Sequence, residues 1–210
     1  MRRLSIEEAK QIELDILAFI DSFCKQHGID YFINYGTLIG AIRHKGFIPW
    51  DDDIDLSMTR ENYERFIQLF TQEQSKYKIL ALETDERYYN NFIKVVDSTT
   101  KIVDTRNTKT YDSGIFIDIF PMDSFNDTKV IDVCYKLESF KLLSFSKHKN
   151  IVYGDSKLKD LIRSFFWFLL RPISPRYFAT QIEQQIQKYR VKDGKYIAFI
   201  PSKFKEKEVF

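Results

Sequence analysis

Residues 46–56 read GFIPWDDDIDL. Asp51, Asp52, Asp53 and Asp55 place four carboxylates in five positions, between a Pro-Trp step and an Ile/Leu alternation. Like charges packed this closely repel, so the segment calls for a compensating cation. Read as a strand, the alternation directs Asp51, Asp53 and Asp55 to one side and Asp52, Ile54 and Leu56 to the other. Ile54 and Leu56 then anchor the strand in a core, while the three carboxylates offer the oxygen ligands that Mg²⁺ takes. The plain alternative is a solvated acidic turn, and Trp50 with the Ile/Leu alternation speaks against it. An EF-hand does not fit: counted from Asp51, the sixth residue is Leu56 where glycine is needed, and the twelfth is Asn62 where glutamate is needed.

Outward from this segment the chain alternates helical and strand-like patterns. Ser5 with Glu8 is a capping box, and Ile12, Ile16, Phe19, Ile20 and Phe23 follow at helical spacing up to a stop at Gly28. The spacing predicts a strand over 29–35, a Gly36-Thr37 turn, and a short helix from Thr37. A second strand is expected at 54–58, and Thr59 should cap a helix to about Phe70. Further strands are expected at 77–82, 91–96 and 101–104. In 114–123, GIFIDIFPMD, the alternation predicts a strand stopped by Pro121. From about Asp127 the pattern turns helical, with breaks near 150–155 and 172–175. The expected class is α/β (α+β), with a core over 1–125 and a mainly helical part over 126–210.

Composition narrows the function. Hydrophobic content of 44%, with 19 Phe, indicates a globular chain with a filled interior. Lys and Arg number 32 against 30 Asp and Glu, which argues against a nucleic-acid partner. Cys24 and Cys134 match no zinc spacing and read as free buried thiols, consistent with a reducing compartment. The opening MRRLSIEEAK lacks the apolar stretch of a signal peptide, so a cytoplasmic protein is expected, at the inner face of the membrane if it works on a lipid-linked substrate.

A strand leading to Gly-Thr and a helix, then Asp-Ile-Asp on the next strand and an acid on a later one, resembles the nucleotidyltransferase superfamily. The likeness implies a mixed sheet flanked by helices. It places donor phosphates at Gly36-Thr37, metal at Asp53 and Asp55, and the third carboxylate at Asp118. The longer string YGTLIGAIRHKGFIPWDDDID, followed by GIFIDIFPMD, resembles the LicD/fukutin family over roughly residues 10–125. That resemblance implies transfer of phosphocholine, or a phospho-alditol such as ribitol phosphate, from a CDP-linked donor (CDP-choline or CDP-alditol) to a sugar hydroxyl of a surface glycan or its lipid-linked precursor. It implies Mg²⁺ or Mn²⁺ held by Asp53, Asp55 and Asp118, with Asp51 in the outer part of the cluster. Gly36 and Thr37 would face the donor phosphates, and Arg43 and Lys94 would stabilise pyrophosphate charge. Family members usually continue past a position like Val209 into a stretch with a Tyr-Gly pair and prolines. This sequence ends at KEKEVF, so a truncated or short variant is expected.

Two other enzyme and non-enzyme readings share these motifs. A glycosyltransferase could use Asp53-Ile54-Asp55 as its metal motif, though only 52 residues precede Asp53. A catalytically silent nucleotide-binding relative would keep the fold without turnover. His44 reads as a surface or packing residue, Asp112 as turn chemistry, and Tyr88, Tyr89 and Phe92 as packing. KLKDLIRSFFWFLLRP at 157–172 is either a buried helix with a snorkelling basic rim or a helix for peripheral membrane contact.

Overall fold

The computed structural model describes residues 2–105, 107–154 and 156–201. Helix α1 (Ile6–His27) begins where the sequence says it should: the Glu8 amide donates to Ser5 Oγ (3.2 Å) and the Ser5 amide to the Glu8 carboxylate (2.9 Å). Gly28 ends it at φ 59°, where the absence of Cβ removes the left-handed penalty, and its N–H returns to Cys24 O.

Five strands follow: β1 (Phe32–Ile33), β2 (Asp55–Thr59), β3 (Tyr77–Leu80), β4 (Ile93–Asp97) and β5 (Phe116–Phe125). They lie in the order β1-β2-β5-β4-β3, with β2 and β5 parallel and the other pairs antiparallel. This is a mixed sheet of the α/β class. Helix α2 (Tyr35–His44) precedes β2, and α3 (Arg60–Phe70), capped by Thr59, follows it.

Register decides which side chains face which way. Leu56, Ile119 and Ile93 are aligned across three strands and face the core with Met58, Val95 and Ile117, against Ile16, Ile20, Phe66 and Phe70 of α1 and α3. Burying each such side chain contributes roughly 1.5–3 kcal/mol. One residue over, Asp55, Asp118 and Lys94 form the adjacent row on the opposite face. A one-residue slip would exchange these rows, so the apolar side fixes the polar one.

By contact density the chain divides into two units. The first comprises 1–84, 92–102 and 112–122; the second comprises 85–91, 103–111 and 123–210. In the second unit, α4 (Lys129–Phe145) packs on α6 (Pro175–Tyr189), with Val130, Ile131, Cys134, Ile182 and Ile186 buried between them. Helix α5 (Lys157–Leu170) lies against α4, and β6 (Tyr196–Ala198) pairs antiparallel with the last three residues of β5. Cys24 and Cys134 are buried free thiols, each pushed up to about 12 chiefly by burial. Among the described residues no helix is long and apolar enough to cross a membrane.

Several boundaries differ from the sequence reading, each for a physical reason. The strand expected at 29–35 shrinks to Phe32–Ile33, because Asn34 caps α2 and accepts the Tyr35 amide (2.8 Å). The helix therefore starts at Tyr35, two residues before Thr37. Residues 101–104 form no strand beyond the bridge Ile102↔Ser113, since both edges of the neighbouring β4 are already filled by β3 and β5. Pro121 does not stop β5. The Asp118 amide points to β2, where it meets Ile54 O (3.1 Å), so position 121 turns its nitrogen the other way. On that side pairing with β4 ends at Ile119 and pairing with β6 starts at Asp123, so proline's missing donor removes no ladder bond. Strand β6 was not expected at all.

Candidate active site

The site grows from the clamp between α2 and β2. The Asp55 amide donates to Thr37 Oγ1 (2.8 Å), the Asn34 amide to Asp55 O (3.0 Å), and Asn34 Nδ2 to Ser57 Oγ (2.8 Å). The first intrahelical bond of α2 runs from Leu38 N to Asn34 O, so the Gly36 and Thr37 amides belong to the unsatisfied first turn, where anions are favoured. Gly36 allows a close approach: a Cβ there would lie 2.4 Å from Asp51 Oδ2. The glycine is thus what lets the acidic segment run past the helix start.

Asp55 and Asp118 are in-register neighbours on the parallel strands β2 and β5. Lys94, opposite Asp118 on β4, donates to Asp118 Oδ1 at 2.5 Å and lies over the Phe116 ring. Both members of this pair are buried. Burial raises the Asp118 carboxyl and lowers the Lys94 ammonium, each against the pull of its partner. Asp55 is half-buried and pushed up to about 7, first by burial and then by the charges of Asp53 and Asp118. Asp53 is raised by burial and then by the charge of Asp51. The strand itself begins only at Asp55, so Asp51 and Asp53 sit on the approach to β2 and not on the rigid element the sequence suggested. Ile54 and Leu56 are buried, as the alternation required.

Of the residues singled out in the sequence, the structure gathers Gly36, Thr37, Asp51, Asp53, Asp55, Asp118 and Lys94 in the first unit through these contacts. Arg43, in the last turn of α2, is exposed, and among the described residues it makes no hydrogen bond or ion pair with the carboxylates. A cavity of ≈ 290 Å³ lies beside the acidic segment, lined by Gly36, Thr37, Asp51 and Asp53 together with apolar groups such as Leu17 and Phe47. His44 stacks edge-on near exposed Trp50. Tyr88 and Tyr89 are buried, and Phe92 packs on Phe120.

Glu13 of α1 was missed. It is 6% exposed, one of its carboxylate oxygens has no hydrogen-bond partner among the described residues, and its carboxyl is pushed up to about 8 by burial and then by Asp53 and Asp52. The signal was in the sequence: Glu13 occupies the face shared by Ile16, Ile20 and Phe23, where a charge is out of place.

The donor set suits a hard divalent cation in kind, being all oxygen, and in charge: burial raises the carboxyls of Asp53, Asp55 and Asp118, and neighbouring carboxylates add to the rise at Asp53 and Asp55. Among the described residues, however, no three acidic, His or Cys side chains are gathered into a ready cage. Lys94 already holds Asp118, and Asp51 and Asp53 come from the approach segment.

The in-register carboxylates Asp55 and Asp118 on adjacent strands, beside the Gly36-Thr37 first turn of α2, fit the nucleotidyltransferase class of fold. The chain belongs to the LicD/FKTN/FKRP nucleotidyltransferase-domain family, whose model matches residues 28–162. It is 33% identical to the lipopolysaccharide cholinephosphotransferase LicD of Haemophilus influenzae over 97% of this chain and 76% of that protein. It is 32% identical to an uncharacterised protein of Rickettsia prowazekii over 62% of this chain and 45% of the relative. Mannosyltransferase regulator 4 of Saccharomyces cerevisiae is 32% identical over 46% of this chain and 8% of its own length.

Proposed function

We propose that this chain is a phosphotransferase that moves phosphocholine, or a similar phospho-head group, from a CDP-linked donor to a sugar hydroxyl of a cell-surface glycan or its precursor. One observation carries the reading: the in-register Asp55/Asp118 pair, crowded by Asp53 and Asp51, stands against the amide-lined start of α2 at Gly36-Thr37. The named activity of the Haemophilus influenzae relative supports the head group and the glycan acceptor.

The reaction is a displacement at phosphorus. The acceptor oxygen bonds to the β-phosphorus, the bond from that phosphorus to the bridging oxygen breaks, and CMP leaves with the electron pair. The hydroxyl proton passes to a carboxylate. Gly36 and Thr37 present amides to donor phosphate oxygens. Asp51, Asp53, Asp55 and Asp118 would hold Mg²⁺ or Mn²⁺, which supplies charge neutralisation for the phosphates when bound. Lys94 fixes the Asp118 side chain, so that this carboxylate keeps its place as charge at the site changes. Arg43 is an exposed cation available to an incoming pyrophosphate.

The test is nucleotide release from CDP-choline, CDP-ribitol and UDP-sugars with a glycan acceptor and Mg²⁺. Acceptor-dependent CMP release is expected. UDP release without CMP would reject the reading in favour of a glycosyltransferase, and tight CDP-choline binding without turnover would indicate a silent relative.

A further inference from the structure

Helix α5 has its apolar side turned outward. The side that docks is tied down by polar contacts: Trp167 Nε1 donates to Ser146 O (2.9 Å), Ser164 Oγ meets His148 Nε2 (2.9 Å), and Asp160 accepts the Tyr153 and Gly154 amides (3.1 and 2.9 Å), while Phe166 stacks on Phe140 of α4. At about 100° per residue Asp160, Ser164 and Trp167 share one side of the helix. Leu158, Leu161, Phe165, Phe168 and Leu169 fall on the other, in a stripe about 100° wide. Their exposures include 66% at Leu158, 68% at Leu161, 59% at Phe165 and 73% at Phe168, and no residue of α5 is buried. The helix is therefore not the buried one that its apolar sequence allowed.

We propose that this stripe lies on an anionic lipid bilayer, seating the second unit at the membrane surface. Charge decides the occupant. Lys157 and Lys159 border the stripe on its two sides, and 147–171 holds Lys147, Lys149, Lys157, Lys159, Arg163 and Arg171 against Asp155 and Asp160, a local excess of four positive charges. A Phe/Leu face bordered by Lys and Arg is the pattern of a helix lying in the headgroup region. Fourteen residues are too few to span, since a crossing needs about 20. The proposal stands independently of the transfer chemistry in the first unit.

The experiment is flotation of the full chain with vesicles of phosphatidylcholine alone or with about one-third phosphatidylglycerol, at low and high salt. Binding is expected to require phosphatidylglycerol and to weaken in salt. The triple variant Leu161→Gln, Phe165→Gln, Phe168→Gln should keep its thermal melt, because these side chains are exposed, and lose about tenfold or more in partition coefficient. Lys157→Glu with Lys159→Glu should lose severalfold. Absence of phosphatidylglycerol-dependent binding by the wild-type chain would overturn the proposal, as would undiminished binding by a folded triple variant. A dimer that the triple variant dissociates, with no vesicle binding, would assign the stripe to a second copy and overturn it equally.

Discussion

Lys94 holds Asp118 at 2.5 Å across the β4–β5 pair, and both side chains are buried. Removing one partner of such a pair leaves the other uncompensated. Lys94→Met is expected to destabilise the fold by about 3 kcal/mol at neutral pH, measured by urea unfolding. The loss should shrink on acidification, as Asp118 takes up a proton. Lys94→Met combined with Asp118→Leu should recover much of the stability while abolishing transfer. Equal stability of the single variant and the wild type would show that the pair is not a structural tie.

Gly36 and Asp51 make contact of a different kind, by close approach. In Gly36→Ala the new Cβ meets Asp51 Oδ2, the far end of a side chain that can swing away. Stability should change by less than about 1 kcal/mol, because alanine also favours the helix. Divalent-cation affinity, read by calorimetry, should fall about tenfold as Asp51 is displaced from the cluster. Unchanged affinity would remove Asp51 from the site.

Asp53→Asn separates binding from folding. It deletes one of several charges that repel one another, so the melting temperature should hold or rise. CMP release should fall by about 100-fold or more. A normal rate would refute the assignment of Asp53.

The same crowding fixes a pH dependence. Asp55 is pushed up to about 7 and Glu13 to about 8 in the folded chain, from ordinary values near 3.8 and 4.5. Between those limits the unfolded chain has released protons that the fold still holds, so stability falls as pH rises. Without divalent cations, the melting temperature should drop between pH 5 and pH 8. Mg²⁺ should flatten that slope, because it stabilises the ionised carboxylates. A metal-free melt that rises over this range would contradict the electrostatic description.

Much of this was legible in the residues themselves. The capping box of Ser5 and Glu8, the stop at Gly28 and the cap at Thr59 are local rules, and the structure follows them. The rest was not, because it depends on partners distant in sequence. Pro121 reads as a strand stop until the register shows its nitrogen on the side of β5 where neither ladder needs a donor from position 121. Asp51 and Asp53 read as strand residues because period-2 alternation continues off the end of β2. The Lys94–Asp118 pair joins residues 24 apart in the chain, and no local pattern announces it. Glu13 is the reverse case, a legible anomaly on an apolar helix face.

Anomalous diffraction from a crystal grown with Mn²⁺ and CDP-choline tests the central claim most directly. The expected result is a manganese peak ligated by Asp55 and Asp118 together with Asp53 or Asp51, and bridged to the donor phosphates at Gly36-Thr37. Donor density in the cleft with manganese absent from these carboxylates, or bound elsewhere on the chain, would contradict it.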